Sequence, residues 1–134
     1  MRFAIPPELL RKLRDRFATR QRRDIELNED AFLLFPGMGP ALYLTSDGRV
    51  LKDGRDWDES LPIEEGSDDD AVAALVIGAE DLDLPELLEL IPAPLPSAQS
   101  CTRCGGSRWF TFKDHFGKTA RVICPDCAGR GYTQ

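Results

Sequence analysis

Four cysteines, set as two pairs in the last 34 residues of a 134-residue chain, constrain this sequence more than any other feature. Cys101-Thr102-Arg103-Cys104 and Cys124-Pro125-Asp126-Cys127 read C-x2-C, nineteen residues, C-x2-C, a spacing that predicts a structural zinc site. Two thiolates two residues apart turn inward on one tight knuckle and supply two corners of a tetrahedron. Gly105, Gly106 and Gly129 follow the pairs and let the chain curl back, so that backbone N–H groups reach the sulfurs. Between the pairs, Arg108 to Phe112 predicts a strand, Asp114 to Lys118 a turn, and Thr119 to Ile123 the returning strand. A hairpin of that length brings the two knuckles together around one zinc ion held by Cys101, Cys104, Cys124 and Cys127. With all four corners taken by cysteine, no position is open to water or substrate, so the expected role of the ion is to brace. Such binding is worth on the order of 10–16 kcal/mol in small zinc peptides, enough to fold an appendage that lacks its own core.

Competing chemistries for the cysteines are weaker. A disulfide framework belongs to exported proteins, and the opening Met1-Arg2-Phe3-Ala4-Ile5-Pro6-Pro7 has no apolar signal core, so a cytoplasmic, reducing setting is the expectation. A thioredoxin-type redox pair expects one C-x-x-C ahead of a helix, not two on glycine-rich knuckles. Iron in the same four-thiolate cage is not separated from zinc by softness or geometry. His115, the single histidine, falls at the expected hairpin tip and reads as a solvated turn residue.

Upstream of the cysteines, Pro92-Ala93-Pro94-Leu95-Pro96-Ser97-Ala98-Gln99-Ser100 predicts an extended, stiff linker, because alternating prolines cannot continue a helix. The chain therefore divides into residues 1–91, a linker over 92–100, and a zinc hairpin over 101–134. In the first part, Pro6 and Pro7 suit a helix start, and Leu9, Leu10, Leu13 and Phe17 form one apolar stripe with Arg11, Lys12, Arg14 and Arg16 pointing elsewhere. Asp24-Ile25-Glu26-Leu27, Ala31 to Phe35, Ala41 to Thr45 and Arg49 to Lys52 read as strands of an antiparallel meander, with turns at Pro36-Gly37-Met38-Gly39-Pro40 and Ser46-Asp47-Gly48. Ser67 before Asp68-Asp69-Asp70 predicts an N-cap and the acidic first turn of a helix. Residues 71–78 are too uniformly apolar for periodicity to separate helix from buried strand, and the cap tips the reading to helix. A second short helix is expected with Asp83 as its cap and Leu84, Leu87, Leu88 and Ile91 inward. The fold class is α+β: an N-terminal helix, a meander and closing helices, plus the C-terminal zinc-bound β-hairpin.

Cys127-Ala128-Gly129-Arg130-Gly131 completes a CxxCxGxG repeat, and Cys101 to Arg108 matches it except that Arg108 stands where the last glycine would be. Residues 101–131 thus resemble the cysteine-rich zinc domain of DnaJ-type proteins, with two repeats where that family has four. The resemblance implies a zinc-bound hairpin that assists contacts with client or partner proteins. No His-Pro-Asp tripeptide is present, so a co-chaperone role does not carry over. The upstream part is similar in element order to the SUKH superfamily: an opening helix after Ile5-Pro6-Pro7, a meander ending near Ser46-Asp47-Gly48 and a helical close at Leu84 to Leu88. That superfamily consists largely of bacterial immunity proteins that bind toxins, so the likeness implies a protein-binding role.

The sequence carries no recognisable catalytic motif. Gly37-Met38-Gly39 fails the dinucleotide fingerprint because Leu42 occupies its last glycine position, and P-loop, HExxH and GxSxG patterns are missing. No apolar run approaches the ~20 residues of a membrane helix. Charge is strongly segregated: residues 1–24 carry +5, residues 25–90 carry −15 and residues 91–134 carry +4. Asp53, Asp56, Asp58, Glu59 and Glu64 to Asp70 read as solvated acidic loop, without the ligand periodicity of a calcium site. Two non-enzymatic readings follow. In the first, Trp57, Asp58, Asp68, Asp69 and Asp70 face a protein partner with a basic surface, and the zinc hairpin braces the molecule. In the second, the hairpin binds nucleic acid through Arg108, Trp109, Phe110, Lys113, Lys118 and Arg121, joined by Arg103, Phe112 and Phe116. The default role of these aromatics is packing against the first domain.

Overall fold

The computed structural model describes residues 1–18, 31–35, 40–55 and 58–133. The expected strand at residues 24–27, most of the turn at 36–40, and Asp56 and Trp57 lie outside these residues. The chain forms two units, Met1–Leu90 and Ile91–Gln134. Its fold class is α+β.

In the first unit, helix α1 (Pro7–Ala18) buries Leu9, Leu13 and Phe17 and half-buries Leu10, the stripe expected from spacing. Strands β1 (Ala31–Phe35), β2 (Ala41–Thr45), β3 (Val50–Asp53) and β4 (Glu64–Glu65) form an antiparallel sheet in sequence order. Every residue of the central strand β2 is buried, so both sheet faces are covered. Register places Phe32, Leu44 and Val50 on one face, where the Phe17 and Phe32 rings meet at 5.4 Å. On the other face Ala31, Ala41, Tyr43 and Leu51 cluster with Leu33 and Ile63.

Helix α2 (Asp68–Asp81) settles the 71–78 ambiguity as helix. Ser67 Oγ accepts from the Asp70 N–H at 3.1 Å while the Asp70 carboxylate accepts from the Ser67 N–H at 3.1 Å, a reciprocal capping box. Gly78 sits over Leu34, where a Cβ would lie 3.0 Å from its Cδ2, so this glycine lets α2 approach β1 closely. The end of α2 corrects one expectation. Asp83 does not cap the following helix; it lies at φ +53, and the Asp83 and Leu84 N–H groups bond back to Glu80 O (3.2 Å) and Ala79 O (2.9 Å). That is a Schellman ending with aspartate in the place usually taken by glycine. The next element, Pro85–Leu90, is a 3-10 helix that buries Leu87; Leu84 and Ile91 on either side are also buried, and Leu88 is half-buried.

The N-terminus is tied to the β2–β3 turn. Phe3 N–H donates to Gly48 O at 2.7 Å, Arg2 pairs with Arg49, and Thr45 Oγ1 accepts from the Arg49 N–H at 3.0 Å. Asp53, grouped above with the solvated acids, is instead 9% exposed and held by both Nε and Nη2 of Arg55 at 2.9 and 3.0 Å. A buried carboxylate needs such a partner.

The second unit consists of β5 (Gln99–Ser100), β6 (Trp109–Lys113), β7 (Thr119–Ile123) and β8 (Tyr132–Thr133), paired β5 with β8 and β6 with β7. The segment expected as a linker is partly structured, since Gln99 and Ser100 pair with Thr133 and Tyr132 and the Tyr132 hydroxyl donates to Pro92 O at 3.0 Å. No described helix is long and apolar enough to cross a membrane.

Candidate metal centre

Each cysteine pair sits on a turn flanked by two strands, and the two turns repeat one backbone design. After Cys104, Gly105, Gly106 and Arg108 have φ of +63, +85 and +76; after Cys127, Ala128, Gly129 and Gly131 have +54, +89 and +83. Positive φ at the first, second and fourth positions curls each knuckle back over its own sulfur. The Ser107 N–H then reaches Cys104 O at 3.1 Å and the Arg130 N–H reaches Cys127 O at 3.0 Å. The knuckles also brace one another. Cys101 N–H donates to Gly131 O (3.1 Å) and Cys124 N–H donates to Arg108 O (3.0 Å), so the fourth residue of each turn accepts from the first cysteine of the other.

This arrangement gathers the sulfurs. All four Sγ atoms lie within 4.8 Å of one another, with Cys101–Cys124 at 3.8 Å and Cys104–Cys127 at 3.7 Å. A tetrahedral zinc with Zn–S bonds of about 2.3 Å requires sulfurs about 3.8 Å apart, so the cage has the dimension of one such ion. A disulfide needs about 2.05 Å, and all four cysteines are free. Cys101, Cys124 and Cys127 are buried, with Phe110 packed against them. His115 is exposed in the hairpin turn and outside this group.

The electrostatics of the cage favour a cation. Burial works against charging Cys104, but the backbone N–H groups of Arg108 and Gly106 outweigh it, helped by the Cys101 and Cys127 thiols, and bring Cys104 down to about 7. Burial pushes Cys127 up to about 11; the Gly131 and Gly129 N–H groups oppose the rise, and Cys104 and Cys124 add to it. Burial is the largest influence at both positions, and the contact between Cys104 and Cys127 at 3.7 Å, which favours a thiolate on the first and opposes one on the second, widens the difference. A divalent ion removes that conflict, so the donor set suits one metal ion such as zinc, held by the four sulfurs that the sequence singles out.

The remaining hairpin residues divide sharply. Arg108 donates from Nη1 to Gly129 O and Arg130 O, both at 2.8 Å, so its guanidinium secures the second knuckle. Arg121 lies over the Trp109 ring at 4.1 Å and Arg103 over the Phe110 ring at 4.4 Å, so one face of each ring is already covered. Phe112 and Phe116 are 38% and 86% exposed. In the turn, Asp114 Oδ1 accepts from the Phe116 and Lys118 N–H groups at 2.9 and 3.0 Å, and Lys118 itself is exposed. Lys113 is exposed at the end of β6.

The acidic residues named from sequence lie in the first unit. Asp68, Asp69 and Asp70 form the first turn of α2, where carboxylates offset the partial positive charge of the helix start. Asp70 is spent on the capping box and lies 4.0 Å from Lys52 Nζ. Asp68 lies 3.6 Å from the N-terminal amine, and Asp58 accepts from the Ser60 hydroxyl and N–H at 2.7 and 3.0 Å. Asp58, Asp68 and Asp69 remain exposed, as do Glu64 and Glu65 on β4. Trp57 is outside the described residues.

The chain matches no protein-family model, no curated protein and no solved structure at a significant level. The DnaJ-type and SUKH resemblances therefore stand on the residues quoted for them alone.

Proposed function

We propose that this chain is a non-catalytic zinc protein that works by contact with another protein. The observation that carries the reading is the closed set of four sulfurs. An ion held by Cys101, Cys104, Cys124 and Cys127 has no position left for a reacting group, so it serves as a cross-link that fixes the hairpin. The second support is a set of exposed carboxylates, Asp58, Glu64, Glu65, Asp68 and Asp69, of which Asp68 and Asp69 project from a well-capped and therefore rigid helix start. Such a surface suits a partner with a basic face, where opposite charge accelerates encounter and rejects wrong partners. The immunity-type likeness of the first unit points the same way.

Two measurements test the reading. Elemental analysis of freshly purified, reduced protein is expected to find one zinc per chain; iron or no metal would refute the centre as described. Affinity purification from the native host, repeated with Asp58, Asp68 and Asp69 changed to Asn, tests the contact surface. Asp70 is left intact because it caps α2. Recovery of the same proteins in undiminished yield with the neutralised variant refutes the acidic surface while leaving the zinc centre standing.

A further inference from the structure

We propose that the tip and exposed face of the β6–β7 hairpin bind single-stranded nucleic acid. The proposal rests on the metal-braced hairpin of the preceding reading and is independent of the protein partner proposed there.

The register pairs Phe110 with Val122 and Phe112 with Ala120, which places these four side chains on one face of the ribbon. Phe110 lies inward against the sulfurs, and its ring runs nearly parallel to that of Phe112, 19° apart with centroids at 6.3 Å. Beyond it, Phe112 and Val122 stand 38% and 45% exposed, and Phe116 at the tip is 86% exposed. These are three of only five exposed large apolar side chains among the described residues, and they share one hairpin.

Charge beside them selects the occupant. Residues 91–134 hold six Lys/Arg against two Asp/Glu, and both acids are engaged: Asp114 with turn N–H groups, Asp126 with Arg103 at 3.8 Å. Lys113, in the last register pair, and Lys118, in the turn, have no carboxylate partner among the described residues and sit at the same end of the ribbon as the exposed rings. A stable protein interface needs about 800 Å² on each side, more than three side chains supply. Stacked bases need only ring faces with cations within reach of the phosphates, and stacking tolerates any base.

The test is fluorescence anisotropy of labelled oligothymidylate with the full zinc-loaded chain at low salt, against a duplex of equal length and against a soluble glutamate–phenylalanine copolymer. Single strands are expected to bind better than duplex. Phe112→Ala and Phe116→Ala are each expected to weaken binding about tenfold. Lys113→Gln and Lys118→Gln are each expected to reduce the slope of log affinity against log salt by about 0.7. These are surface positions, and zinc content measured on the same samples judges the centre separately, so a loss at full zinc content is a loss of the surface alone. Equal affinity for duplex, retention of binding in the Phe112→Ala/Phe116→Ala double variant, or capture of the copolymer but not the oligonucleotide would overturn the proposal.

Discussion

Arg108 stands where the second knuckle has Gly131, and both adopt the left-handed backbone, at φ +76 and +83. For a residue with a Cβ that conformation costs about 1–2 kcal/mol. The side chain supplies the compensation, since its guanidinium donates to Gly129 O and Arg130 O at 2.8 Å. Hydrogen bonds from a charged donor contribute about 1.5–3 kcal/mol each, and a half-exposed arginine belongs at the lower end, so the pair is worth about 3 kcal/mol. Arg108→Ala loses the bonds and keeps the strain. Arg108→Gly loses the same bonds but relieves about 1 kcal/mol of strain. The Arg108 carbonyl, which accepts from Cys124 N–H, is present in all three proteins.

On the proposed reading, folding of the hairpin and metal binding form one equilibrium, so the difference is expected to read out as zinc affinity. In competition with a chromophoric chelator at fixed pH, Arg108→Ala is expected to bind zinc about 100-fold more weakly than the parent, and Arg108→Gly about 30-fold. The ordering is the decisive result. A glycine variant that binds as tightly as the parent would refute the reasoning, because the carbonyl bonds would then contribute no more than the about 1 kcal/mol of strain that glycine relieves.

Zinc binding at pH 7 is expected to release about three to four protons per ion, because four thiolates are needed, a free cysteine thiol is mostly protonated at that pH, and the cage itself holds Cys104 near 7 and Cys127 near 11. Affinity therefore rises with pH through this range, and titration calorimetry in buffers of different ionisation enthalpy checks the count; one proton or fewer contradicts the four-sulfur cage. Asp83→Gly is expected to stabilise the first unit by about 1 kcal/mol, or about 5 °C, since it removes both a left-handed residue with a Cβ and a negative charge at the C-terminus of α2; an unchanged melting temperature counts against the assigned helix ending. Gly48→Ala would place a Cβ 1.8 Å from Phe3 O at φ +89 and is expected to cost about 2–4 kcal/mol in urea unfolding. A loss below about 1 kcal/mol would mean the N-terminal segment is not docked on that turn.

Sequence reading succeeded where the signal was local. Leu9, Leu13 and Phe17 mark one face of α1 by spacing alone, and the Ser67–Asp70 box decides a helix whose next eleven residues are nearly all apolar. It failed where partners are distant or the pattern is silent. Glu64 and Glu65 carry no apolar alternation, so an acidic edge strand two residues long gives no signal; exposed charge there is what discourages pairing with another chain. Asp83 looked like a cap because it precedes Leu84-Pro85-Glu86, yet the helix before it claimed the residue first by turning the Leu84 N–H back to Ala79 O. The pairing of Gln99–Ser100 with Tyr132–Thr133 joins segments more than thirty residues apart and depends on knuckle geometry that no local pattern states.

The same contrast indicates what a metal ion held by the four sulfurs would do. From residue 92 onward the buried apolar side chains among the described residues are Cys101, Cys124 and Cys127, and the strands β6 and β7 are exposed or half-buried along their whole length. A unit of this size buries too little apolar surface to offset the entropy of ordering it, and small domains of this kind depend on metals or disulfides. Its bracing bonds, Cys101 N–H to Gly131 O and Cys124 N–H to Arg108 O, each join one knuckle to the other, so neither forms until the two meet. We propose that bringing four sulfurs together is the folding step of this unit, and that an ion making four thiolates compatible at under 5 Å would serve as its core. The exposed rings at the tip are then carried on a ribbon whose rigidity comes from the far end, which is why losing one cysteine is expected to disable that surface without touching any residue in it.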